Sequence, residues 1–187
     1  MEQKIYLDNT FTLENAAEDS DRINIVGYAC KYNQINLNSE LVDRKSFDAF
    51  FGLYNSGKLV PFFNWEHTES TIGGIDKVES DSEGLIVKAH LIKDVAIVRD
   101  MIGPLVISGD LNSFSTEGSV LNGYDDIVAL PNDKGYYVKN FILRGVSVVR
   151  TPACPDAKFS LANYIKEYEE AKRQNEETIR RKWYLMD

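Results

Sequence analysis

The 187-residue chain has few of the residues on which metal centres and disulfide frameworks depend. It contains only two cysteines and two histidines. Cys30 and Cys154 lie far apart and in no metal-ligand spacing, so they predict free thiols of a reducing compartment. A zinc site of ordinary composition needs clustered Cys or His side chains. The sequence therefore predicts no metal.

Basic charge and long apolar runs are also scarce. The chain has 21 basic and 29 acidic residues, a net charge of −8, whereas a nucleic-acid surface needs a basic face. No apolar run approaches the roughly 20 residues of a membrane span, and the charged start MEQKIYLDNT differs from a secretory signal. Walker and dinucleotide-binding glycine motifs are lacking. We expect a soluble cytosolic protein with no nucleic-acid, membrane or cofactor partner.

Short apolar segments typical of strands make up most of the chain. Residues 23–32 form one, in which Gly27 indicates a bulge or a close backbone contact. IGGIDKVE and LIVKAHLI, joined by SDSEG, predict a hairpin, and LNSFSTEGSVL (111–121) and YYVKNFILRGVSVVR (136–150) predict further strands. One face of the hairpin's second strand is expected to be apolar: Leu85, Val87, Ala89 and Leu91.

Two helices are predicted within this series of strands. Ser46 is a candidate N-cap for a short helix that places Phe47, Phe50 and Phe51 on one side and ends at Gly57. A second helix is predicted over residues 93–107, stopped by Gly103-Pro104.

The order of elements predicts a mostly β protein with helices, of the α+β class. We expect a small closed β-barrel surrounded by a few helices, followed by a C-terminal helix. The expected divisions are an N-terminal strand and turn segment (1–22), a barrel domain (23–160) and a charged helical tail (161–187). The tail is predicted to be either a solvent-exposed helix or a segment that docks during assembly.

With this inventory, the most natural catalysis is one histidine activating a hydroxyl or thiol nucleophile. His67 follows the apolar strand VPFFNW, where a strand end presents a side chain on a rigid frame. Ser115 lies in NSFSTEG, on the same strand face as Ser113. Both residue types are common in ordinary structural positions, so residue chemistry alone leaves a mostly β domain with one candidate histidine.

Four segments taken in order give a more specific indication. They are IVGYACKYNQINLNSELVDRKSFDAF, VPFFNWEHTESTIGGI, DSEGLIVKAHL, and the pair SGDLNSFSTEG and LRGVSVVRTPACPDAKF. Together they span about residues 23 to 160, and the chain resembles the prohead (capsid-maturation) protease family of tailed phages. That family is similar in fold to herpesvirus assemblin, a small β-barrel with catalytic residues on its strands.

The resemblance implies a serine peptidase. His67 falls on the family's catalytic histidine and Ser115 on its nucleophile. His67 would then take the Ser115 proton during attack and return it to the leaving amine. Backbone N–H groups around Arg150 to Ala153 would stabilise the oxyanion.

The chain departs from the family at the residue that orients the histidine. Relatives carry Glu or Asp just before V-S-(L/V)-V, and this chain has Gly145 there. Glycine cannot accept the Nδ1–H bond that fixes the imidazole tautomer. The candidates for a replacement are Glu117, which shares a strand face with Ser115, then His90, then Asp110. A dyad supported by water, or the loss of efficient activity, are the other possibilities.

The expected function is an endopeptidase of phage head maturation, working in the host bacterial cytoplasm within the assembling prohead. It would cleave scaffold segments of the major capsid protein, a separate scaffold protein, and its own chain, and a homodimer or higher oligomer is plausible. The alternative from another class is a weakened or inactive homologue that acts as a capsid-assembly factor, which Gly145 favours. A generic β-barrel interaction module would require the four ordered matches to be coincidental.

Overall fold

A computed structural model describes residues 21–161 of the chain. Within this range the strands are β1 Arg22–Lys31, β2 Glu40–Leu41, β3 Phe62–Trp65, β4 Gly73–Ser80, β5 Gly84–Ile92, β6 Ser113–Val120, β7 Ile127–Ala129, β8 Tyr136–Val138, β9 Phe141–Val149 and β10 Phe159–Leu161. These strands form three sheets, with strand orders β10-β1-β5-β4, β2-β8-β7 and β3-β9-β6. The helices are α1 Asp48–Asn55 and α2 Gly103–Ser108.

The α+β class is confirmed, but the prediction of a closed barrel is wrong. None of the three sheets formed by residues 21–161 closes on itself. Among residues 21–161, no continuous ladder joins the four-stranded sheet to the β3-β9-β6 sheet, and short backbone links connect them instead. An isolated bridge joins Ser113 to Lys158. On the other side, the Ile72 N–H donates to the Phe63 carbonyl, and the Ile72 carbonyl accepts from the Ile92 N–H. Because these short links, each of a few backbone hydrogen bonds, replace continuous ladders, the sheets remain separate.

The predicted first strand and hairpin are confirmed. β1 pairs antiparallel with β5, and β5 with β4. The close contact expected at Gly27 is present, since a Cβ there would lie 2.1 Å from the Lys158 carbonyl oxygen. The inward face of β5 is at most 1% exposed at its four predicted core positions, Leu85, Val87, Ala89 and Leu91.

The first helix is confirmed, with a different cap. Asp43 accepts from the Ser46 backbone N–H, and the Ser46 hydroxyl accepts from the Asp43 N–H, which is a reciprocal capping box. Ser46 is therefore the third residue of the first turn rather than its cap. A 3₁₀ turn at Arg44–Phe47 leads into α1, which buries Phe50 completely.

The second helix does not stop where the sequence predicted. A π-helical turn spans Val98–Ile102 and runs directly into α2, which begins at Gly103. Pro104 is the second residue of α2 and directly follows the π-helical turn, so the proline does not end the helix. The helix ends instead at Gly109, whose φ of 82° is the left-handed conformation of a C-terminal cap.

The β3-β9-β6 sheet holds the candidate catalytic residues. Its central strand β9 is parallel to β3 and antiparallel to β6. The segment 136–150, predicted as one strand, is divided into β8 and β9 at Asn140, which has a φ of 44°. None of the helices within residues 21–161 is long and apolar enough to cross a membrane. Residues 1–20 and 162–187 lie outside the described range, so the predicted segment boundaries and the helical tail stay predictions.

Candidate active site

The registers of three strands bring polar residues together on one face of the β3-β9-β6 sheet. Ser147 of β9 pairs with Ser115 of β6 on one side and with Asn64 of β3 on the other. Directly paired residues present their side chains on the same face of a sheet. In the next row, Gly145 lies between Phe62 and Glu117. Glu117 therefore shares a face with Ser115, as the alternation in β6 predicted.

Residue 145, where the family resemblance implies an acid, is covered by an aromatic ring in this chain. A Cβ on Gly145 would lie 2.1 Å from Cε2 of Phe62. Any larger side chain at residue 145 must displace that ring. The carboxylate of this row comes instead from Glu117, on the neighbouring strand.

His67 lies in a turn with an unusual backbone. β3 ends at Trp65, and Glu66 and His67 have φ values of 49° and 58°. Two successive non-glycine residues in the left-handed region cost about 1–2 kcal/mol each, so surrounding contacts must hold them. The Glu66 N–H donates to the Val148 carbonyl at 3.0 Å, and the His67 N–H donates to Ser147 Oγ at 3.2 Å.

An ion pair between Glu66 and Arg150 also holds this turn. Glu66 Oε1 accepts from the Arg150 backbone N–H at 3.0 Å and from Arg150 Nε at 2.9 Å. The Arg150 guanidinium also lies over the Trp65 ring, 5.6 Å from its centroid. Partial burial tends to raise the pKa of Glu66, but the hydrogen bonds and charge of Arg150 outweigh it, and the pKa is lowered. The backbone N–H of Arg150, a predicted oxyanion donor, is thus already engaged.

The His67 imidazole faces a carboxylate and a hydroxyl. Its Nδ1 lies 3.2 Å from Glu117 Oε1 and 3.1 Å from Ser147 Oγ. The His67 side chain is 43% exposed and that of Glu117 22%. Because Nδ1 is the nitrogen that faces Glu117, Nε2 is left for the proton transfer expected of a general base.

Ser115 and His67 line one cavity of about 660 Å³. Ser115 is 8% exposed. Among residues 21–161, no hydrogen bond joins Ser115 Oγ to the imidazole. Catalytic hydrogen bonds often tighten only when substrate is bound.

The cavity combines an apolar wall with a loop whose N–H groups are largely without partners among residues 21–161. Seven apolar residues contribute to the wall: Ala29, Cys30, Leu37, Val42, Phe47, Val138 and Phe141. The loop of residues 151–154 forms another side. Within the described range, the N–H groups of Thr151, Ala153 and Cys154 make no hydrogen bond. The Ala153 carbonyl accepts from the Leu37 N–H at 2.8 Å, which anchors the loop.

The other two acid or histidine candidates lie elsewhere. His90 belongs to β5, where its Nδ1 is 2.8 Å from Asp76 Oδ1 and its ring lies against Gly74. Asp110 accepts from the Ser108 hydroxyl at 2.7 Å. Neither residue is among those lining the cavity. Of the three proposed replacements for the orienting acid, the fold brings only Glu117 to His67.

Sequence reasoning missed Asn64 and Ser147. Both are buried, at 4% and 0% exposure, and both contribute polar atoms beside His67. The available signal was Ser147 as a lone hydroxyl within the apolar run VSVV. Across residues 21–161, no group of three or more His, Cys, Asp or Glu side chains is arranged to hold a metal ion.

Comparison with known families identifies one family that matches most of the chain. The model of the Caudovirus prohead serine protease family matches residues 11–173. This chain belongs to that family. The matched residues include the turn that carries His67 and the strand β6 that carries Ser115. No curated protein sequence matches the chain.

Two solved structures of viral proteases are similar to the chain at low identity. The varicella-zoster virus protease aligns with a TM-score of 0.45 and 10% identity, covering 74% of this chain and 63% of that one. The KSHV protease, solved with a hexapeptide phosphonate inhibitor, aligns with a TM-score of 0.43 and 12% identity, covering 74% of this chain and 64% of that one. The chain thus spans less than two thirds of either viral protease.

Proposed function

We propose that this member of the prohead protease family is a serine endopeptidase of phage head maturation, with Ser115 as nucleophile and His67 as general base. The observation that carries the proposal is the shared cavity, into which one sheet and one turn bring a serine and a histidine whose Nδ1 faces a carboxylate. That arrangement matches the logic of nucleophile, base and orienting acid.

The proposed reaction is acyl transfer. Ser115 Oγ attacks the scissile carbonyl carbon while His67 Nε2 takes the hydroxyl proton. The C–N bond then breaks as the imidazolium returns that proton to the leaving amine. Water repeats the sequence on the acyl-enzyme and releases the second product and free Ser115.

Glu117 is proposed as the acid that orients His67. It supplies the carboxylate from β6 that relatives carry at the position of Gly145 on β9. The two positions are direct cross-strand partners, so an acid at either one belongs to the same row of the same face. Accepting from Nδ1–H fixes the tautomer with an unprotonated Nε2, and the negative charge stabilises the imidazolium.

Oxyanion stabilisation is assigned to the loop after β9. Because the Arg150 N–H donates to Glu66, the proposed donors are the N–H groups of Thr151, Ala153 and Cys154, which make no hydrogen bond to any other residue in the range 21–161. Pro152 has no N–H to offer. The Leu37 N–H that binds the Ala153 carbonyl supports this arrangement by limiting rotation of the Ala153–Cys154 peptide.

The proposed substrates are the scaffold segment of the major capsid protein, a separate scaffold protein, and the chain itself. The proposed location is the assembling prohead in the host bacterial cytoplasm, and a homodimer or higher oligomer is part of the proposal. The apolar cavity wall is suited to holding side chains of an extended peptide beside Ser115.

A second candidate is a weakened or inactive homologue that acts in capsid assembly. Gly145 favours it, as does the lack of a hydrogen bond between Ser115 and His67 in the described structure. The presence of Glu117 beside His67 argues for the active enzyme, because a purely structural protein gains nothing from an oriented histidine at a cavity.

Co-expression with the phage's own capsid protein tests whether the chain is an active endopeptidase or a capsid-assembly factor. Wild type, Ser115→Ala and His67→Ala are compared by intact mass spectrometry, with Ser119→Ala as an exposed serine control on the same strand. Discrete truncations in wild type and Ser119→Ala that vanish in the other two support the protease. Intact proteins throughout, with particle assembly still dependent on the wild-type chain, would favour the assembly factor.

A further inference from the structure

The Ser147 hydroxyl, in the β3-β9-β6 sheet, makes four polar contacts. Neither the family resemblance nor the proposed reaction gives Ser147 a role. We infer that Ser147 is a positioning residue: its hydroxyl holds both the backbone and the imidazole of His67, and Asn64 holds the hydroxyl. This inference rests on the proposed function, because it assigns Ser147 to the support of the general base.

The hydroxyl meets four polar atoms at once. Ser147 Oγ lies 3.2 Å from the His67 backbone nitrogen, 3.1 Å from His67 Nδ1 and 2.5 Å from Glu117 Oε1. It also hydrogen-bonds Asn64 Oδ1. Ser147 is 0% exposed, so its hydroxyl depends on these protein groups for its hydrogen bonds.

Asn64 is fixed in a single orientation. Its Nδ2 donates to the Thr68 carbonyl at 2.7 Å, on the far side of the His67 turn. Exchanging the amide oxygen and nitrogen would set two carbonyl-type oxygens against each other at that point. Asn64 Oδ1 must therefore face Ser147, and the side chain links the residue after His67 to the hydroxyl beside it.

The Ser147 hydroxyl has a single proton for two acceptors, and this links Asn64 to Glu117. A serine hydroxyl donates one hydrogen bond and accepts two. The His67 N–H takes one acceptor position, while Asn64 Oδ1 and Glu117 Oε1 compete for the single proton. Glu117 in turn faces His67 Nδ1. The strength with which Glu117 holds the imidazole therefore depends on how Ser147 shares its proton with Asn64.

The turn needs this support because its backbone is strained. The left-handed conformations of Glu66 and His67 persist only where neighbouring contacts hold them. Without the Ser147 hydroxyl, the His67 N–H loses its acceptor and the buried Asn64 oxygen loses its donor. Release of the turn would displace the imidazole relative to Ser115, and a displacement of about 1 Å in a reacting group can cost on the order of 10²-fold in rate.

The test compares Ser147→Ala with Ser113→Ala. Ser113 is also a buried serine of this sheet, on the same face of β6 as Ser115, but its hydroxyl contacts Asn112 and Lys158 rather than His67. We expect Ser147→Ala to lower kcat for a peptide substrate by about 10²-fold with KM little changed. Ser113→Ala should leave kcat within about threefold of wild type.

A spectroscopic measurement separates positioning from general damage. The Nδ1–H proton of an ordered, hydrogen-bonded imidazole gives a downfield NMR signal. We expect wild type and Ser113→Ala to show this signal for His67, and Ser147→Ala to lose it through faster exchange with water. Asn64→Ala should weaken it as well, and combining Asn64→Ala with Ser147→Ala should cost less than the sum of the two single effects on kcat.

Two outcomes would overturn the inference. One is a Ser147→Ala protein that keeps both the wild-type kcat and the His67 signal. The other is equal loss of kcat in Ser147→Ala and Ser113→Ala, in proportion to the unfolded fraction seen by circular dichroism. The NMR comparison does not require activity, so a wild-type chain that cleaves nothing would refute the proposed function while still deciding whether Ser147 positions His67.

Discussion

Both histidines of the chain face a carboxylate, yet their surroundings differ. His67 Nδ1 lies 3.2 Å from Glu117, and His90 Nδ1 lies 2.8 Å from Asp76. The His90 pair is the shorter one, but it belongs to the β4–β5 hairpin, with the ring packed on Gly74. The His67 pair lies at a cavity that also exposes Ser115.

The different surroundings of the two histidines indicate that a histidine–carboxylate pair is not by itself a catalytic site. Two features distinguish the His67 pair: a nucleophile that lines the same cavity, and a strained turn held by buried polar groups. His90 lies near the end of β5, where it is paired with β1 on one side and with β4 on the other. Matched substitutions in the two pairs can therefore test whether the surroundings decide function.

Replacing the histidines should give the largest contrast. We expect His67→Ala to lower kcat by at least about 10⁴-fold, because the general base is lost. His90→Ala should leave kcat within about threefold of wild type. Initial rates on one peptide substrate measure both. Equal losses in the two variants would show that the comparison between the pairs is wrong.

Replacing the carboxylates should give the next largest effect. Glu117→Gln keeps the shape of the side chain but removes the charge that stabilises the imidazolium, so we expect kcat to fall by about 10²- to 10⁴-fold. Asp76→Asn should have little effect on kcat. Single-turnover rates at saturating substrate make the comparison independent of KM. A Glu117→Gln enzyme with wild-type kcat would remove Glu117 from the mechanism.

Moving the acid back to β9 should restore part of the loss. In the Glu117→Gln background, Gly145→Glu together with Phe62→Ala returns a carboxylate to the same row and removes the ring that covers residue 145. We expect a recovery of roughly tenfold in kcat, since the new carboxylate stabilises the same imidazolium. Gly145→Ala with Phe62→Ala in that background is the uncharged control. No recovery beyond this control would contradict the idea that the two positions are interchangeable.

The smallest expected effect concerns the ion pair that closes the His67 turn. The pKa of Glu66 is lowered from its ordinary 4.5, so its stabilising contribution is present above that pH and is lost as the pH falls through the lowered value. Glu66→Gln should cost about 0.5–1 kcal/mol at pH 7, as expected for a pair screened by solvent. Thermal unfolding should show this difference from wild type shrinking below pH 4.5. Glu69→Gln, an exposed neighbour, serves as the control, and a difference that does not change with pH would refute this account.

Local features of the fold were predictable from the sequence because neighbouring residues determine them. Alternation identified the buried face of β5, and the spacing of aromatic residues identified the face of α1. Gly27 was correctly expected at a close backbone contact. The reciprocal cap between Asp43 and Ser46 was misassigned by three residues, since both residue types are good caps.

Features that depend on strand register could not be predicted in the same way. Ser147 meets Asn64 and His67 because β9 pairs with β3 in parallel at one register, and these residues are about 80 positions apart. No local pattern specifies such a pairing. The failure of the sheets to close likewise depends on the short links between them, which leave no periodic signal in the sequence.

Reaction with a fluorophosphonate probe, followed by peptide mapping, tests the central claim most directly. The probe forms a covalent bond only with a serine whose hydroxyl is activated. We predict a single adduct on Ser115, absent in Ser115→Ala, strongly reduced in His67→Ala and unchanged in His90→Ala. An adduct on another serine, or no adduct in a preparation that cleaves the capsid protein, would contradict the assignment of Ser115 and His67.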